Sequence, residues 1–264
     1  MITKLNNRAL LKVSGPDAEV FLQSQFSNDI KQIAKKEIQI NAYCQHQGKI
    51  IAIIWVFIKK SNYYLSFPLD LKEIVLTKLN MFKLMSHLDI KDCSSTINQY
   101  GVIGENRNNS YKINDNLSLL TTRECILDCS NNFEWELACI KDKIPEVYKS
   151  YSEIFIPQAL NLDIDLLGVS FTKGCYPGQE VVARMHYLGK PKRRLFCFTS
   201  KFEVCIGDNL NVIDSTSLKS SGQIIRVAKK GSEFQFLAVF EVRHINDHIF
   251  LNNDQTKLVK IIHE

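Results

Sequence analysis

The residue types best suited to chemistry sit in one stretch, Phe171-Thr172-Lys173-Gly174-Cys175-Tyr176-Pro177-Gly178-Gln179-Glu180. Gly174 and Gly178 bracket it and Pro177 fixes one φ inside it, which makes it a tight loop and not the interior of a helix or strand. Cys175 lies two residues from the cation of Lys173. A nearby positive charge and converging backbone N–H groups favour thiolate, the reactive form of cysteine. Tyr176 and Gln179 shape the loop. Glu180 either orders it through hydrogen bonds or caps a helical turn from Val181 to Met185. The competing reading is a turn whose cysteine is packed away and inert, the commoner fate of a free thiol.

A basic run follows the loop. Arg184, Lys190, Lys192, Arg193 and Arg194, with His186 among them, occur without an intervening acid. Such a run is either a solvated face or the rim of an anion site. Its place beside a constrained cysteine, at a domain junction where pockets tend to form, favours an anionic tail or a partner's acidic surface.

The elements that must hold this loop are short. Ala9 to Val13 reads as a strand, Ser14-Gly15 as a turn, and Pro16 as the first position of a helix burying Phe21 and Leu22. Asn41 to Gln45, Ile50 to Lys59 and Tyr63 to Phe67 read as strands, joined at His46-Gln47-Gly48-Lys49 and Ser61-Asn62. Leu71, Ile74, Val75, Phe82 and Met85 recur at helical spacing, predicting a helix over 69–86. The segment 89–136 is choppier, with strands near Tyr100 to Ile103 and Leu117 to Thr121. From 191 to 264 strand-like runs follow one another without a convincing helix, at 195–198, 210–213, 223–227, 234–242 and 257–262. The expected class is α+β, with an α+β region over 1–190 and a small β-barrel over 191–264.

Composition excludes other classes. The 264 residues are 45% hydrophobic and 23% charged, a globular mix, and the net charge of +5 does not by itself argue for nucleic acid. Direct nucleic-acid binding is not expected. The longest apolar run, Ile50 to Ile58, is too short to span a bilayer, and a cytoplasmic protein with no membrane contact is expected. In that reducing setting the eight cysteines (44, 93, 125, 129, 139, 175, 197, 205) should be free thiols. No CxxC occurs and no metal site is expected. His46, His87, His244, His248 and His263 are scattered and default to surface or core roles.

The octapeptide Lys173-Gly174-Cys175-Tyr176-Pro177-Gly178-Gln179-Glu180 resembles the signature K-G-C-Y-x-G-Q-E of the YgfZ family, folate-binding relatives of the glycine-cleavage T protein (aminomethyltransferase). Ile156-Pro157-Gln158 with Asn161-Leu162 and Gly168-Val169-Ser170-Phe171 lead into it as in that family. Val182-Ala183-Arg184 and Gly189-Lys190 lead out. Ser14-Gly15-Pro16-Asp17-Ala18, Phe21-Leu22-Gln23 and Asn28-Asp29 resemble the family's opening block.

The resemblance implies a T-protein-like folate-binding region followed by a β-barrel. It implies an accessory role in assembling or repairing iron–sulfur clusters in client enzymes, a tRNA-thiolating one among them. Cys175 carries over as the functional residue, with Lys173 holding its thiolate or the glutamate tail of folate. Tetrahydrofolate or a one-carbon derivative is the implied cofactor. Trp135 matches a tryptophan of the folate site, where indole stacks on a flat heterocycle, unless it is a core tryptophan. Asp29 faces the pterin or simply caps a helix end, and Arg184 receives the anionic end of the ligand.

Two departures bear on mechanism. T proteins carry an acidic pair after a glycine turn, where this chain has Gly48-Lys49-Ile50-Ile51-Ala52-Ile53; Ala52 and Ile53 can neither exchange a proton nor stabilise a cationic centre. Many relatives have I-E-x-G where T proteins use that glutamate to hold the pterin, and here Ile140-Lys141-Asp142-Lys143 places a donor-only lysine there, with Asp142 one residue off register. A folate-dependent aminomethyl or methyl transferase is therefore the alternative reading and not the leading one.

Overall fold

Runs of Ile, Val, Tyr and Phe cut by Gly, Asn and Ser turns form strands, as such composition directs. The computed structural model describes residues 1–35, 37–104, 107–108, 110–127, 129–130, 132–214 and 217–262. In chain order its strands are β1 (Ile2–Lys4), β2 (Arg8–Ser14), β3 (Gln39–Cys44), β4 (Ile50–Lys59), β5 (Asn62–Pro68), β6 (Asp89–Asp92), β7 (Asn98–Ile103), β8 (Ser110–Lys112), β9 (Leu117–Thr122), β10 (Arg193–Ser200), β11 (Asn209–Asp214), β12 (Ser217–Lys230), β13 (Glu233–Glu241), β14 (Ile249–Leu251) and β15 (Asp254–Ile261). The helices are α1 (Ala18–Gln25), α2 (Lys72–Phe82), α3 (Asn132–Lys141) and α4 (Gln179–Leu188). No helix among the described residues is long and apolar enough to cross a membrane. His263 lies outside the described residues.

The strands make three antiparallel layers. One sheet runs β3-β4-β5-β2-β6, a second β1-β7-β9-β8, and the last six strands close into a barrel, β10-β13-β12-β11-β14-β15. The fold is α+β with a C-terminal β-barrel. Strand alternation decides which core each residue joins. On β2, Ala9, Leu11 and Val13 pack with Phe21 and Leu22 of α1 and with Val75 and Leu79 of α2. Leu10 faces the other way, into a core shared with Leu119 of the second sheet and Leu237 and Val239 of the barrel. Strand β4 is buried on both faces, which explains why Ile50 to Phe57 is continuously apolar. In the barrel, Phe236, Ala238 and Phe240 point inward while Leu237 and Val239 point to the shared core.

A buried ionic cluster joins the five-stranded sheet, α3 and the barrel. Arg226 of β12 donates from Nε to Glu136 of α3 (2.6 Å) and from Nη1 to the Ile144 carbonyl (2.9 Å). Arg8 of β2 pairs with Glu146 and lies 3.8 Å above the Trp55 ring. Burial pushes the Glu146 carboxyl up, against the pull of Arg8 and Arg226.

Two sequence expectations need correction. The helix expected over 69–86 is regular only from Lys72 to Phe82, after a 3₁₀ turn at Leu69–Leu71. Met85, expected on its buried face, is exposed. The chain must turn after Phe82 to bring β6 back beside β2, and His87 N donates to Asp17 Oδ2 at that turn (2.6 Å). Pro16 lies in the turn ahead of α1 and not at its first position, since the helix begins at Ala18.

Candidate functional site

The loop is clamped at its glycine. Gly178 has φ +80° and precedes the first residue of α4. A Cβ on it would lie 2.5 Å from the Gln45 carbonyl oxygen and 2.6 Å from the Gly48 Cα. Gly48 has φ +76° in the turn between β3 and β4. The helix entry therefore rests backbone-to-backbone on the hairpin turn, a contact only two glycines permit. Tyr176 is buried beside this contact and Gln179 N donates to its carbonyl (3.1 Å). Burial pushes the Tyr176 hydroxyl pKa up.

Lys173 anchors the other end. Its Nζ donates to the carbonyls of Gln23 (2.5 Å), Phe26 (2.5 Å) and Asn28 (3.2 Å), at the C-terminal end of α1. An ammonium has three N–H donors, and all are used there; this is a cation capping a helix C-terminus. Burial lowers its pKa to about 8, opposed by the nearby Asp29. The donors of Lys173 are thus directed at these carbonyls and not at the Cys175 sulfur, and they tie the loop to α1.

Between the two anchors Cys175 is exposed, and Gly174 beside it has open space around its Cα. Cys44 and Cys139 are fully buried and burial pushes both thiols up to about 12. Cys125 and Cys205 are exposed as Cys175 is, but neither belongs to a loop fixed at both ends in this way. Glu180 is exposed in the first turn of α4, where a carboxylate favours the helix dipole. Its side chain makes no hydrogen bond among the described residues, so the ordering expected of it comes instead from Lys173 and Gly178. Downstream, His186 stacks on Phe171 at 3.7 Å, tying α4 back to the loop entrance.

No family model matches this chain. An uncharacterized protein of Haemophilus influenzae is 32% identical over 232 residues, spanning 83% of this chain and 81% of its own. The tRNA-modifying protein YgfZ of Aliivibrio fischeri (strain ES114) is 29% identical over 253 residues (85% of this chain, 79% of that protein), and that of Colwellia psychrerythraea is 28% identical over 236 (76% and 72%). The chain belongs to the YgfZ family. Among solved structures, the glycine cleavage system aminomethyltransferase T of Bartonella henselae matches with a TM-score of 0.62 at 10% identity, covering 100% of this chain and 84% of that one. That likeness shows the shared fold.

The other residues of this YgfZ-family chain fall in separate places. Asp29 lies near Lys173, and its Oδ1 accepts from Gln23 Nε2 (2.9 Å) and Lys31 N (3.2 Å), capping the 3₁₀ turn Ile30–Lys35. Trp135 is 2% exposed on α3, and a Cβ on Gly101 of β7 would lie 2.3 Å from its ring. Arg184 is exposed on α4. Asp29 joins Lys173 and Tyr176; Trp135 belongs to the core between the second sheet and the barrel. The basic run also divides. Arg194 forms a two-pronged pair with Asp163 (2.5 and 3.0 Å), and Arg193 meets Glu241 (3.3 Å). Arg184, Lys190 and Lys192 have no acidic partner among the described residues.

Ala52 and Ile53 are fully buried on opposite faces of β4, so the place of the T-protein acidic pair is core. Lys141 is exposed at the end of α3, and Asp142 accepts from Asn114 Nδ2 (2.9 Å). Gly48 is the site residue the sequence did not single out for packing. Its signal was present in the turn His46-Gln47-Gly48-Lys49, but nothing local names Gly178 as the partner.

Proposed function

We propose that this chain acts as a YgfZ-type accessory protein that maintains iron–sulfur enzymes, including a tRNA-thiolating one, through the thiol of Cys175. The observation that carries the reading is the accessible thiol between two rigid anchors, Lys173 on α1 and Gly178 on Gly48. A cysteine sulfur held in an exposed, fixed loop is a soft ligand suited to an iron–sulfur centre. The free cations Arg184, Lys190 and Lys192 on the same helix and its exit offer a rim for an acidic client surface. The reading places the protein in the cytosol, where its free cysteines stay reduced.

Folate enters through the family resemblance and the T-protein-like architecture. The residues expected to hold it do not fit one pocket: the indole of Trp135 is covered by Gly101, Asp29 Oδ1 is engaged in a cap, and Arg184 stands on the outer side of α4. The proposed chemistry routes no step through it. The one-carbon transferase is the second reading. The shared fold favours it, and the apolar Ala52 and Ile53 weigh against it.

The test is expression of this chain in a bacterial strain deleted for its own YgfZ protein. Recovery of both an iron–sulfur enzyme's activity and the thiolated tRNA supports the reading. Stable expression with no recovery of either contradicts it.

A further inference from the structure

A second charged feature lies far from Cys175 in the chain order, on the face of the five-stranded sheet turned away from α1 and α2. In the ladder registers Lys12 of β2 stands directly opposite Lys91 of β6 and opposite Tyr64 of β5, and Tyr64 is opposite Phe57 of β4. These side chains form one row across four strands. Lys59 is two residues beyond Phe57 and shares its face; its Nζ donates to the Thr121 carbonyl (3.2 Å) and Oγ1 (3.3 Å) at the end of β9. Phe57 is buried beneath Tyr64 and Tyr111, and two adjoining hollows, about 620 and 540 Å³, open over the rest of the row and share Tyr64, Ile97 and Arg123. Lys59 and Lys60 line the first, Lys12 and Lys91 the second.

The charges there do not cancel. Among the described residues none of the five cations forms an ion pair. Among the described residues Glu124 is the one acid lining either hollow. Asp89, on the same face of β6 as Lys91, stands opposite Ser14 and pairs with neither lysine. Like charges directly opposite on neighbouring strands destabilise a sheet, and Lys12 with Lys91 is such a pair. Burial, then the charges of Lys60 and Arg123, lower the pKa of Lys59. An anion lying in the cleft would relieve all of these repulsions at once.

The extent of the row selects the anion. From β6 to β4 is three strand spacings, about 14 Å at about 4.8 Å each. Phosphates of a stacked strand advance about 3.4 Å per nucleotide along the helix axis and lie roughly twice as far apart along the strand itself, so the cleft spans about three of them. We propose that this cleft binds the phosphate backbone of an RNA strand. The cations come from four separate stretches of chain, which is why a net charge of +5 gave no sign of them. The inference is independent of the thiol: a Cys175→Ala chain should bind RNA as the wild type does.

The test is fluorescence anisotropy of a labelled 20-nucleotide RNA with the full chain at two salt concentrations. With three phosphate contacts, affinity should fall about 20-fold between 50 and 200 mM salt, at a slope of about 0.7 per contact. The Lys12→Gln/Lys91→Gln variant should bind at least about tenfold more weakly, with its salt slope reduced by about 1.4. Its urea midpoint should hold or rise, since a repulsion is removed. A Lys190→Gln/Lys192→Gln control should stay within about twofold of wild type, because base-independent phosphate contacts act locally. Wild-type affinity in the cleft variant, or equal loss in the control, overturns the proposal. So does inorganic tripolyphosphate displacing the RNA at equal phosphate concentration, which would assign the cleft to short oligophosphates.

Discussion

Gly48 and Gly178 meet backbone to backbone: a Cβ on Gly178 would lie 2.6 Å from the Gly48 Cα. The meeting ties the hairpin turn after β3 to the first turn of α4, and the loop that presents Cys175 leads straight into it. Position 178 also has φ +80°, so an L-residue there meets both strain and collision.

Gly178→Ala should therefore destabilise the protein by about 2–4 kcal/mol, combining backbone strain and overpacking. Gly174→Ala, with open space around its Cα and no left-handed φ, should stay within about 0.5 kcal/mol of wild type. Urea denaturation of the two variants side by side separates a clamp at one glycine from general intolerance in the loop.

Lys173 predicts a pH dependence. Its folded pKa is lowered by burial to about 8, below the 10.5 of an unperturbed lysine. Between those values the unfolded chain holds more protons, so this group's contribution to stability rises with pH from about 8 to about 10.5 and is flat at its lowest value below 8. Lys173→Met should remove that slope from the urea midpoints. It should also cost about 1–3 kcal/mol at pH 7 by stranding the carbonyls of Gln23, Phe26 and Asn28. A variant with the wild-type slope would refute the anchor.

The ionic cluster predicts a large asymmetric loss. Glu146→Ala leaves Arg8 buried beside Trp55 without its partner and should cost about 3–5 kcal/mol. Lys72→Ala, which breaks a more exposed, solvent-screened pair with Asp92, should lose far less. Thermal unfolding of both variants measures the contrast.

Gly101→Ala should be among the most damaging single-methyl changes, because the new Cβ would lie 2.3 Å from the Trp135 ring. Overpacking of this kind costs about 1–3 kcal/mol. A tryptophan with an open face for stacking would accommodate the methyl group with little loss, so a neutral result would restore Trp135 as a ligand-facing residue.

Much of the frame was legible because it rests on local pattern. Ile50 to Lys59 reads as a strand and is one, and the barrel strands show in Leu195 to Phe198 and Phe234 to Val242 because alternation and turn residues mark them. β1, β6, β8 and β14 carry no such pattern. They are three or four residues long and are strands only because a neighbouring ladder accepts them. At the site, the residue types of the cysteine loop were visible, but their partners were not. Lys173 looked like a companion of Cys175 two residues away, whereas its ammonium lies among carbonyls about 150 positions earlier in the chain. Trp135 looked like a stacking platform; its surroundings depend on Gly101, a contact no local pattern encodes.

The most direct test of the central claim compares three single-cysteine variants, Cys175→Ala, Cys125→Ala and Cys205→Ala, in the strain lacking its own YgfZ protein. All three thiols are exposed, so loss of accessible sulfur is common to the set. The account predicts that only Cys175→Ala fails to restore iron–sulfur enzyme activity at wild-type protein levels. Full restoration by Cys175→Ala would contradict it.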